Sequence, residues 1–244
     1  REAGLGKRIP ATQSVKVLVA GGGPAGMKAA AVAAERGHAV ILCEQGPELG
    51  GQVKLACKLP GRDEFGGIVT NLAHEMKRHG VEVRLNQAVT RELVEAEAPQ
   101  VLVIATGSRP HTPEDLLLDN AHVLHATRVL EGANTGTRVV IADWRCDWVG
   151  LGLAEKLARD GCSVRLAVNG YMAGQSIQQY TRDRWVGDLH KLGVEITPYA
   201  RLVGADENTG YFQHTASGEP IMFEDMDTLV TATGSQTDHA LERE

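Results

Sequence analysis

The stretch VKVLVAGGGPAG, residues 15–26, decides the fold of this 244-residue chain. Its apolar first half has the β-branched content of a buried parallel strand, and Gly21, Gly23 and Gly26 follow in the spacing G-x-G-x-x-G. Gly21 allows a sharp turn, Gly23 allows the backbone to approach a pyrophosphate, and Gly26 allows a helix to pack tightly on the strand.

The residues that follow complete a strand–helix–strand unit. An alanine-rich helix is predicted over Met27–Gly37, and a second strand over Ala39–Cys43 leads to Glu44. The helix N-terminus offers free N–H groups to phosphates, and Glu44 can accept hydrogen bonds from both ribose hydroxyls of an adenosine. This context favours an adenine dinucleotide or ADP site over a structural glycine turn, and the carboxylate disfavours a 2′-phosphorylated ribose.

Composition sets the broad class of the protein. Apolar residues make up 43% of the chain, which suits one large or two small domains, and the net charge is −6. No basic stripe predicts nucleic-acid binding, and neither a long apolar run nor a charged leader predicts a membrane segment, so we expect a cytoplasmic protein. The chain begins at Arg1 without a methionine, which leaves open a piece of a longer chain.

Cysteine and histidine positions predict neither catalytic nor metal-binding residues. The four cysteines lack a C-x-x-C pair, so a local redox dithiol is excluded, and Cys43 and Cys162 are expected to be buried thiols. His74 and His79 are expected on a solvated helix surface, and the other histidines are scattered.

Further elements are predicted along the chain. Residues 1–14 are read as a linker, and the glycine-rich loop after Glu44 is expected to line the cofactor. Predicted helices cover residues 64–79, 126–130, 151–160 and 178–192. Predicted strands cover residues 81–85, 101–104, 138–142, 163–168, 194–196 and 228–231, with a hairpin within 210–223.

An internal repeat predicts two nucleotide-type domains in tandem. VLVIATGS at residues 101–108 returns as TLVTATGS at residues 228–235, and each copy closes a half that begins with a strand–turn–helix unit. We expect a first domain over residues 15–110 and a second over 111–235, with residues 236–244 starting a return to the first.

The second half lacks the glycine fingerprint of the first. Its turn reads DWRCDWVGLG over residues 143–152, so two indoles and two carboxylates stand where a pyrophosphate would bind. The next strand ends in Ala167-Val168-Asn169, without an acid for a ribose. Bulk and negative charge both disfavour NAD(P)H at this second site.

These features resemble the C-terminal half of the NADH:flavin oxidoreductase/old yellow enzyme family, of the trimethylamine dehydrogenase, histamine dehydrogenase and 2,4-dienoyl-CoA reductase type. The likeness covers nearly the whole chain and includes KVLVAGGGPAGMKAA, LGGQ at Leu49–Gln52, PGR at Pro60–Arg62 and ATGSRP at Ala105–Pro110. It implies an α/β fold of two tandem Rossmann-like domains of the FAD/NAD(P)-binding, disulfide-reductase-like type. The glycine-poor second turn, followed by LAEKLARDGCSVRL, is similar to the amine-dehydrogenase branch.

The resemblance also implies the ligands and the residues that hold them. FAD or ADP would occupy the first site, although the family's flavin-contacting aspartate belongs to a segment beyond Glu244. FMN and an iron–sulfur cluster are expected only in an N-terminal barrel outside these residues. The predicted cofactor-binding residues are Gly21, Gly22, Gly23, Pro24, Ala25, Gly26, Glu44, Gln45, Gly51, Gln52, Val89, Ala105, Thr106 and Gly107.

Three functions remain open at this point. The resemblance favours the nucleotide-binding portion of an amine dehydrogenase or demethylase, which would work with its barrel, an electron-transfer flavoprotein and further copies of itself. One alternative is an NAD(P)H-dependent reductase of the dienoyl-CoA reductase type. The other is a nucleotide-binding structural module that has no chemistry of its own.

Overall fold

A computed structural model describes residues 8–242, so residues 1–7 of the predicted linker and residues 243–244 of the predicted return lie outside it. The chain forms two compact units. The first comprises the residues up to Arg109 together with those from Thr237 onward, and the second comprises Pro110–Gln236.

The first unit is built from a strand–helix–strand start and short connecting elements. Its elements in chain order are β1 (Lys16–Ala20), α1 (Pro24–Glu35), β2 (Ala39–Cys43), α2 (Val53–Ala56), a 3₁₀ turn (Asp63–Phe65), α3 (Gly66–Arg78), β3 (Glu82–Arg84), α4 (Arg91–Glu97), β4 (Val101–Ile104) and β5 (Ser108–Pro110), the last of which reaches the second unit.

A four-stranded parallel sheet organises this unit, in the order β3-β2-β1-β4. The alternation of side chains along β1 sends Val17 and Val19 to one face and Leu18 to the other. Helices α1 and α3 cover the first face with side chains that include Met27 and Met76, which are almost completely buried. The chain leaves β1 towards β2 on one side while β4 pairs on the other, so the ligand-binding switch point of such sheets lies at the end of β1.

The second unit repeats this start and adds a second, mixed sheet. Its elements are β6 (Leu117–Leu118), β7 (Val123–His125), α5 (Ala126–Glu131), β8 (Arg138–Asp143), α6 (Trp148–Arg159), β9 (Ser163–Val168), α7 (Gln179–Lys191), β10 (Glu195–Thr197), β11 (Ala200–Ala205), β12 (Gly210–His214), β13 (Pro220–Phe223), β14 (Thr228–Ala232) and β15 (Ser235–Thr237), which leads back to the first unit.

Two sheets form the core of the second unit. The parallel sheet runs in the order β10-β9-β8-β14-β7, and the other sheet runs β13-β12-β11-β6. Buried side chains from both pack together, including Val140, Leu229, Leu202 and Phe212. Strands β8 and β14 are buried over nearly their whole length, as expected for strands inside a covered parallel sheet.

Most predicted elements lie within a few residues of the observed ones, and the exceptions have physical causes. Helix α1 begins at Pro24 rather than Met27, because proline is favoured at the first helical position. Helix α4, where the Thr90 hydroxyl accepts a hydrogen bond from the Leu93 N–H, is short and was not predicted. The short helix α2 and the strands β5, β6, β7, β11 and β15 were also missed. The expectation that Cys162 is buried is wrong, because the turn after α6 leaves it partly exposed.

Candidate functional site

A cavity of about 540 Å³ opens in the first unit at the carboxyl ends of its central strands. This volume lies within the range of roughly 300–1,000 Å³ that is typical of ligand sites. The residues that line it are Ala20, Gly21, Gly23, Pro24, Ala25, Cys43, Glu44, Gln45, Gly51, Gln52, Leu55, Gln87, Ala88, Val89, Ala105, Thr106, Gly107, Ser108, Arg109, Asp238, Ala240 and Leu241.

The glycine turn after β1 is tightly packed at its two ends. Gly21 has φ +109°, and a Cβ atom there would lie 2.3 Å from the Ala105 carbonyl oxygen. A Cβ atom on Gly26 would lie 2.0 Å from the Gly21 carbonyl oxygen. Both positions therefore require glycine, because neither backbone oxygen can move without disturbing the strand or the helix.

The same turn is open at Gly23, although not at Gly22, where a Cβ atom would lie 2.6 Å from the Leu49 side chain. Gly23 has no atom within 4 Å of its missing Cβ, and its Cα is approached instead by Gly51. Gly23 occupies the N-cap position of α1 and provides no side-chain cap. The first turn of α1 therefore presents backbone N–H groups and the positive end of the helix dipole towards the cavity, which is the arrangement that binds phosphates.

The Glu44 carboxylate is held by the backbone at the end of β2. One of its oxygens accepts the Gly22 N–H and the other accepts the Gly46 N–H, each at 2.7 Å. A carboxylate offers about four acceptor positions, so two remain for the hydroxyl groups of a ribose. Because its orientation is fixed in advance, Glu44 can bind a ribose without a large loss of side-chain entropy.

The structure brings twelve of the fourteen predicted cofactor-binding residues to the cavity wall. The other two, Gly22 and Gly26, lie behind it: Gly22 holds Glu44 and Gly26 holds the helix against the turn. Val89 lines the cavity, as expected for a residue predicted to meet the adenine, and Gln87 and Ala88 join it there. These assignments remain predictions about a ligand.

Sequence reasoning missed the part of the cavity formed after Gly107. Ser108 and Arg109 follow the ATG sequence directly, and the Gln52 side chain donates a hydrogen bond to the Ser108 hydroxyl at 2.8 Å. Asp238 returns from far along the chain: its N–H donates to the Gly107 carbonyl and its carboxylate pairs with Arg109 at 2.9 Å. Local sequence carries no signal for a contact over this separation.

The corresponding turn in the second unit is filled by its own side chains. Asp147 is the N-cap of α6, and its carboxylate accepts the Val149 N–H at 2.9 Å. Asp143 ends β8 and is completely buried, with one oxygen accepting the Cys146 N–H at 2.9 Å. The start of α6 therefore already holds a carboxylate of the chain itself.

Burial dominates the proton affinities in this turn. It raises the pKa of the Asp143 carboxyl from 3.8 to about 7, against the opposing effect of the Cys146 N–H. Burial also raises the pKa of the Cys146 thiol to about 12, and the Asp143 and Asp147 carboxylates add to this. A thiol with so high a pKa is a poor nucleophile at neutral pH.

Within residues 8–242, no three histidine, cysteine or acidic side chains are grouped so that they could hold a metal ion. Over the same residues, every helix is too short or too polar to cross a bilayer.

Comparisons with known proteins place these features in context. N,N-dimethylglycine/sarcosine dehydrogenase of Chromohalobacter salexigens is 35% identical across 75% of this chain and 27% of its own length. A probable N-methylproline demethylase of Rhizobium meliloti is 36% identical across 79% of this chain and 28% of its own length. The chain thus spans little more than a quarter of these relatives.

A solved structure and a family model each match nearly the whole chain. A complex of 2-naphthoyl-CoA reductase superposes with a TM-score of 0.87 and 30% identity, over 96% of this chain and 35% of that one. The family model described as pyridine nucleotide-disulphide oxidoreductase matches residues 15–244. The predicted fold class of two tandem Rossmann-like domains is confirmed, and so is the resemblance to the flavin oxidoreductases above. The chain belongs to the pyridine nucleotide-disulphide oxidoreductase family.

Proposed function

We propose that this chain is the nucleotide-binding portion of a flavin and iron–sulfur oxidoreductase that acts on an N-methylated amine or a similar C–N substrate. The difference between the two turns carries the proposal: the turn at Gly21–Gly23 is open to a cavity, whereas Asp143 and Asp147 fill the equivalent turn. The two dehydrogenase and demethylase relatives support the substrate class.

In this proposal, the filled second turn prevents a pyridine nucleotide from binding as the electron donor. A pyridine nucleotide needs its pyrophosphate at a helix N-terminus, and the N–H of Val149 is already paired with a carboxylate. Electrons then come from the amine through an FMN and a cluster outside these residues, and leave to an electron-transfer flavoprotein. We further propose that the protein is cytoplasmic and works as a homo-oligomer.

The first site is proposed to hold the ADP portion of a nucleotide, either as ADP itself or as part of FAD. The residues present fit this group: Gly23 leaves space at the start of α1, and Glu44 is oriented to accept from a ribose. When bound, the ADP portion supplies no redox chemistry and a flavin would supply hydride transfer. The residues of this chain bind and orient, and Glu44 disfavours a 2′-phosphate by charge repulsion.

Two measurements on the protein expressed from its complete gene test this function. Nucleotide released by denaturation should be ADP or FAD, identified by mass spectrometry. In rapid mixing, an N-methylated amine such as sarcosine or dimethylamine should reduce the bound flavin, whereas NADH and NADPH should not. Rapid reduction by NADPH would overturn the proposal.

An NAD(P)H-dependent reductase is the second candidate, and one observation favours it. The 2-naphthoyl-CoA reductase structure, which is a reductase by name, matches almost the whole chain at 30% identity. This function requires the nicotinamide cofactor to bind at the second unit despite Asp143 and Asp147. Micromolar affinity for NADH or NADPH in a calorimetric titration would support it, and no binding at millimolar concentration would exclude it.

A further inference from the structure

The second turn contains a buried carboxylic acid, Asp143. In the proposed function its only role is to fill the turn where a pyrophosphate would otherwise bind. We propose that residues 143–147 form a proton-controlled latch: the protonated carboxyl of Asp143 keeps the turn folded inward with the Cys146 thiol buried, and loss of that proton releases the turn. The proposal concerns this turn alone and does not depend on the reaction that the protein catalyses.

The surroundings of Asp143 disfavour a charged carboxylate. Its side chain is completely inaccessible to solvent, and one oxygen accepts the Cys146 N–H at 2.9 Å. The other oxygen, Oδ2, is buried and has no hydrogen-bond partner among the residues that the structure describes. It lies against α6, since a Cβ atom on Gly150 would be only 2.3 Å away. The Cys146 N–H and the smaller effect of the Arg145 N–H do not compensate for the burial of a charged carboxylate in such a place.

The elements packed around Asp143 provide no compensating charge. Its sheet neighbours are Val168 on β9 and Ala232 on β14, and Gly150 faces it from α6. The Asn169 N–H donates to the Asp143 carbonyl, not to its carboxyl group. Ionisation of Asp143 would therefore leave a charge that the surrounding strands and helix cannot neutralise.

The charged groups near Asp143 belong to the turn itself and pair with each other. Arg145 contacts the Asp147 carboxylate at 2.8 Å, and its side chain is more than half exposed. Asp147 repels a charge on Asp143 and Arg145 attracts it, so their effects partly cancel. The Cys146 thiol stays neutral over the same range, because burial raises its pKa to about 12. Burial is accordingly the main reason that the pKa of Asp143 rises to about 7.

The closed turn also contains two features that opening would relieve. Cys146 has φ +52°, in the left-handed region that a side chain disfavours. The Trp144 indole N–H is buried without a partner among residues 8–242. The Cys146 N–H bond to Asp143 opposes opening, as do the N–H and hydroxyl of Ser176, which both donate to the Cys146 carbonyl. Ionisation of Asp143 strengthens the first of these contacts, but the cost of burying the charge is larger, so loss of the proton shifts the balance towards the open turn.

The linkage between proton binding at Asp143 and opening of the turn gives the sign and size of the expected pH dependence. The pKa of Asp143 is about 7 in the closed turn and near 3.8 when it reaches water, so the closed turn binds more protons between these values. The closed turn is thus most stable below pH 3.8, loses stability as pH rises towards 7, and changes little above that. The opening equilibrium should increase about tenfold per pH unit between pH 5 and 6, flatten above pH 7, and grow on the order of 1,000-fold overall.

Hydrogen exchange of the whole protein, followed by peptide mass spectrometry from pH 5 to 9, tests the latch. After correction for the intrinsic pH dependence of amide exchange, peptides covering residues 143–149 should exchange roughly tenfold faster at pH 6 than at pH 5. The corrected exchange rates of these peptides should level off above pH 7. Peptides covering α4, residues 91–97, which contain no histidine or cysteine, should show no such change. A corrected rate that is flat in pH, or a rise shared by every peptide, would overturn the proposal.

Two variants distinguish the contribution of Asp143 to the pH dependence from that of the other charged groups in the turn. Asp143→Asn keeps an oxygen for the Cys146 N–H but cannot ionise, so the corrected exchange of residues 143–149 should become independent of pH. Asp147→Asn keeps an N-cap and removes the neighbouring charge, so the pH dependence should persist at a slightly lower midpoint. Labelling of Cys146 by a maleimide at pH 8 should be slower in Asp143→Asn than in the wild type, with Cys57 in the same sample as reference. Unchanged pH dependence in Asp143→Asn would contradict the latch even if the variant were less stable.

Discussion

The turns at Gly21–Gly23 and at Asp143–Asp147 join the same two kinds of element, a parallel strand and the helix that follows it. In the first turn, glycine leaves the helix N-terminus open to a cavity. In the second, one carboxylate caps the helix and another is buried beneath it. The framework of strands and helices is nearly the same, so the fold does not require a nucleotide at either turn.

The difference shows which residues support the fold and which support binding. Apolar side chains such as Val19 and Ile141 are completely buried in the two central strands and hold the sheets whatever ligand is present. Binding depends instead on whether the N–H groups at the helix start are free. In α1 they face space beside Gly23, whereas in α6 the Val149 N–H is already used. Changes at the packed positions of a turn should therefore affect stability as well as binding, whereas changes at its open position should affect binding alone.

The largest effect is expected from Gly21→Ala. The new Cβ would lie 2.3 Å from the Ala105 carbonyl oxygen, at a residue with φ +109°. Backbone strain and overpacking together should lower the free energy of unfolding by about 3 kcal/mol, measured by urea denaturation, and ADP binding should be lost. Gly37→Ala is the matched control, because it has a similar φ but open space around its Cβ. An equal loss in both variants would show that packing against Ala105 is unimportant.

Glu44→Ala should reduce ADP affinity next most strongly. It removes the carboxylate that the Gly22 and Gly46 N–H groups orient, and with it the predicted bonds to the ribose. Hydrogen bonds to a charged group of this kind correspond to roughly a 10- to 100-fold change in the dissociation constant, which isothermal titration calorimetry measures. Glu48→Ala removes an exposed carboxylate of the same loop and should leave affinity unchanged. If both variants bind ADP like the wild type, Glu44 is not the ribose ligand.

Gly23→Ala should affect binding without affecting stability. The methyl group would enter open space, and the backbone at φ −73° suits alanine. It should nevertheless occupy room needed by the pyrophosphate and weaken ADP binding about tenfold, an expected loss of near 1.4 kcal/mol. The melting temperature should stay close to that of the wild type. The control Gly67→Ala, at an open position of helix α3, should leave ADP affinity unchanged and raise the melting temperature by about 2–4 °C, because alanine is favoured over glycine in a helix. Unchanged ADP affinity would indicate that the phosphates lie elsewhere.

The sequence predicted the framework because it depends on local patterns, and the residues of the predicted first site are also close together in the sequence. The glycine spacing, the alanine-rich helix and the carboxylate at residue 44 lie within thirty residues, and the structure places them around one cavity. Alternating and continuous apolar runs predicted the strands of the two parallel sheets except β7. The mismatch in the second turn was also visible, since glycines were replaced by bulky and acidic residues.

The features that the sequence could not provide depend on contacts between distant residues. Asp238 reaches the cavity through its pairing with Arg109, which is remote in sequence. The burial of Asp143 follows from its place between two buried strands and α6, and its residue type alone predicts an exposed carboxylate. The short helix α4 owes its position to a Thr90 cap and packing on the sheet rather than to strong periodicity.

The smallest effect is expected from Asp147→Ala. This variant tests what prevents nucleotides from binding at the second turn. Removing the N-cap should lower the free energy of unfolding by about 1 kcal/mol. It also frees the Val149 N–H, yet ADP should still bind with a stoichiometry of one, because Asp143 remains buried and Gly21 has no counterpart there. A control titration of Glu44→Ala/Asp147→Ala should show the same weakening as Glu44→Ala. A stoichiometry of two would mean that the cap alone excludes phosphate, and that the two turns differ by a single carboxylate rather than by their backbone.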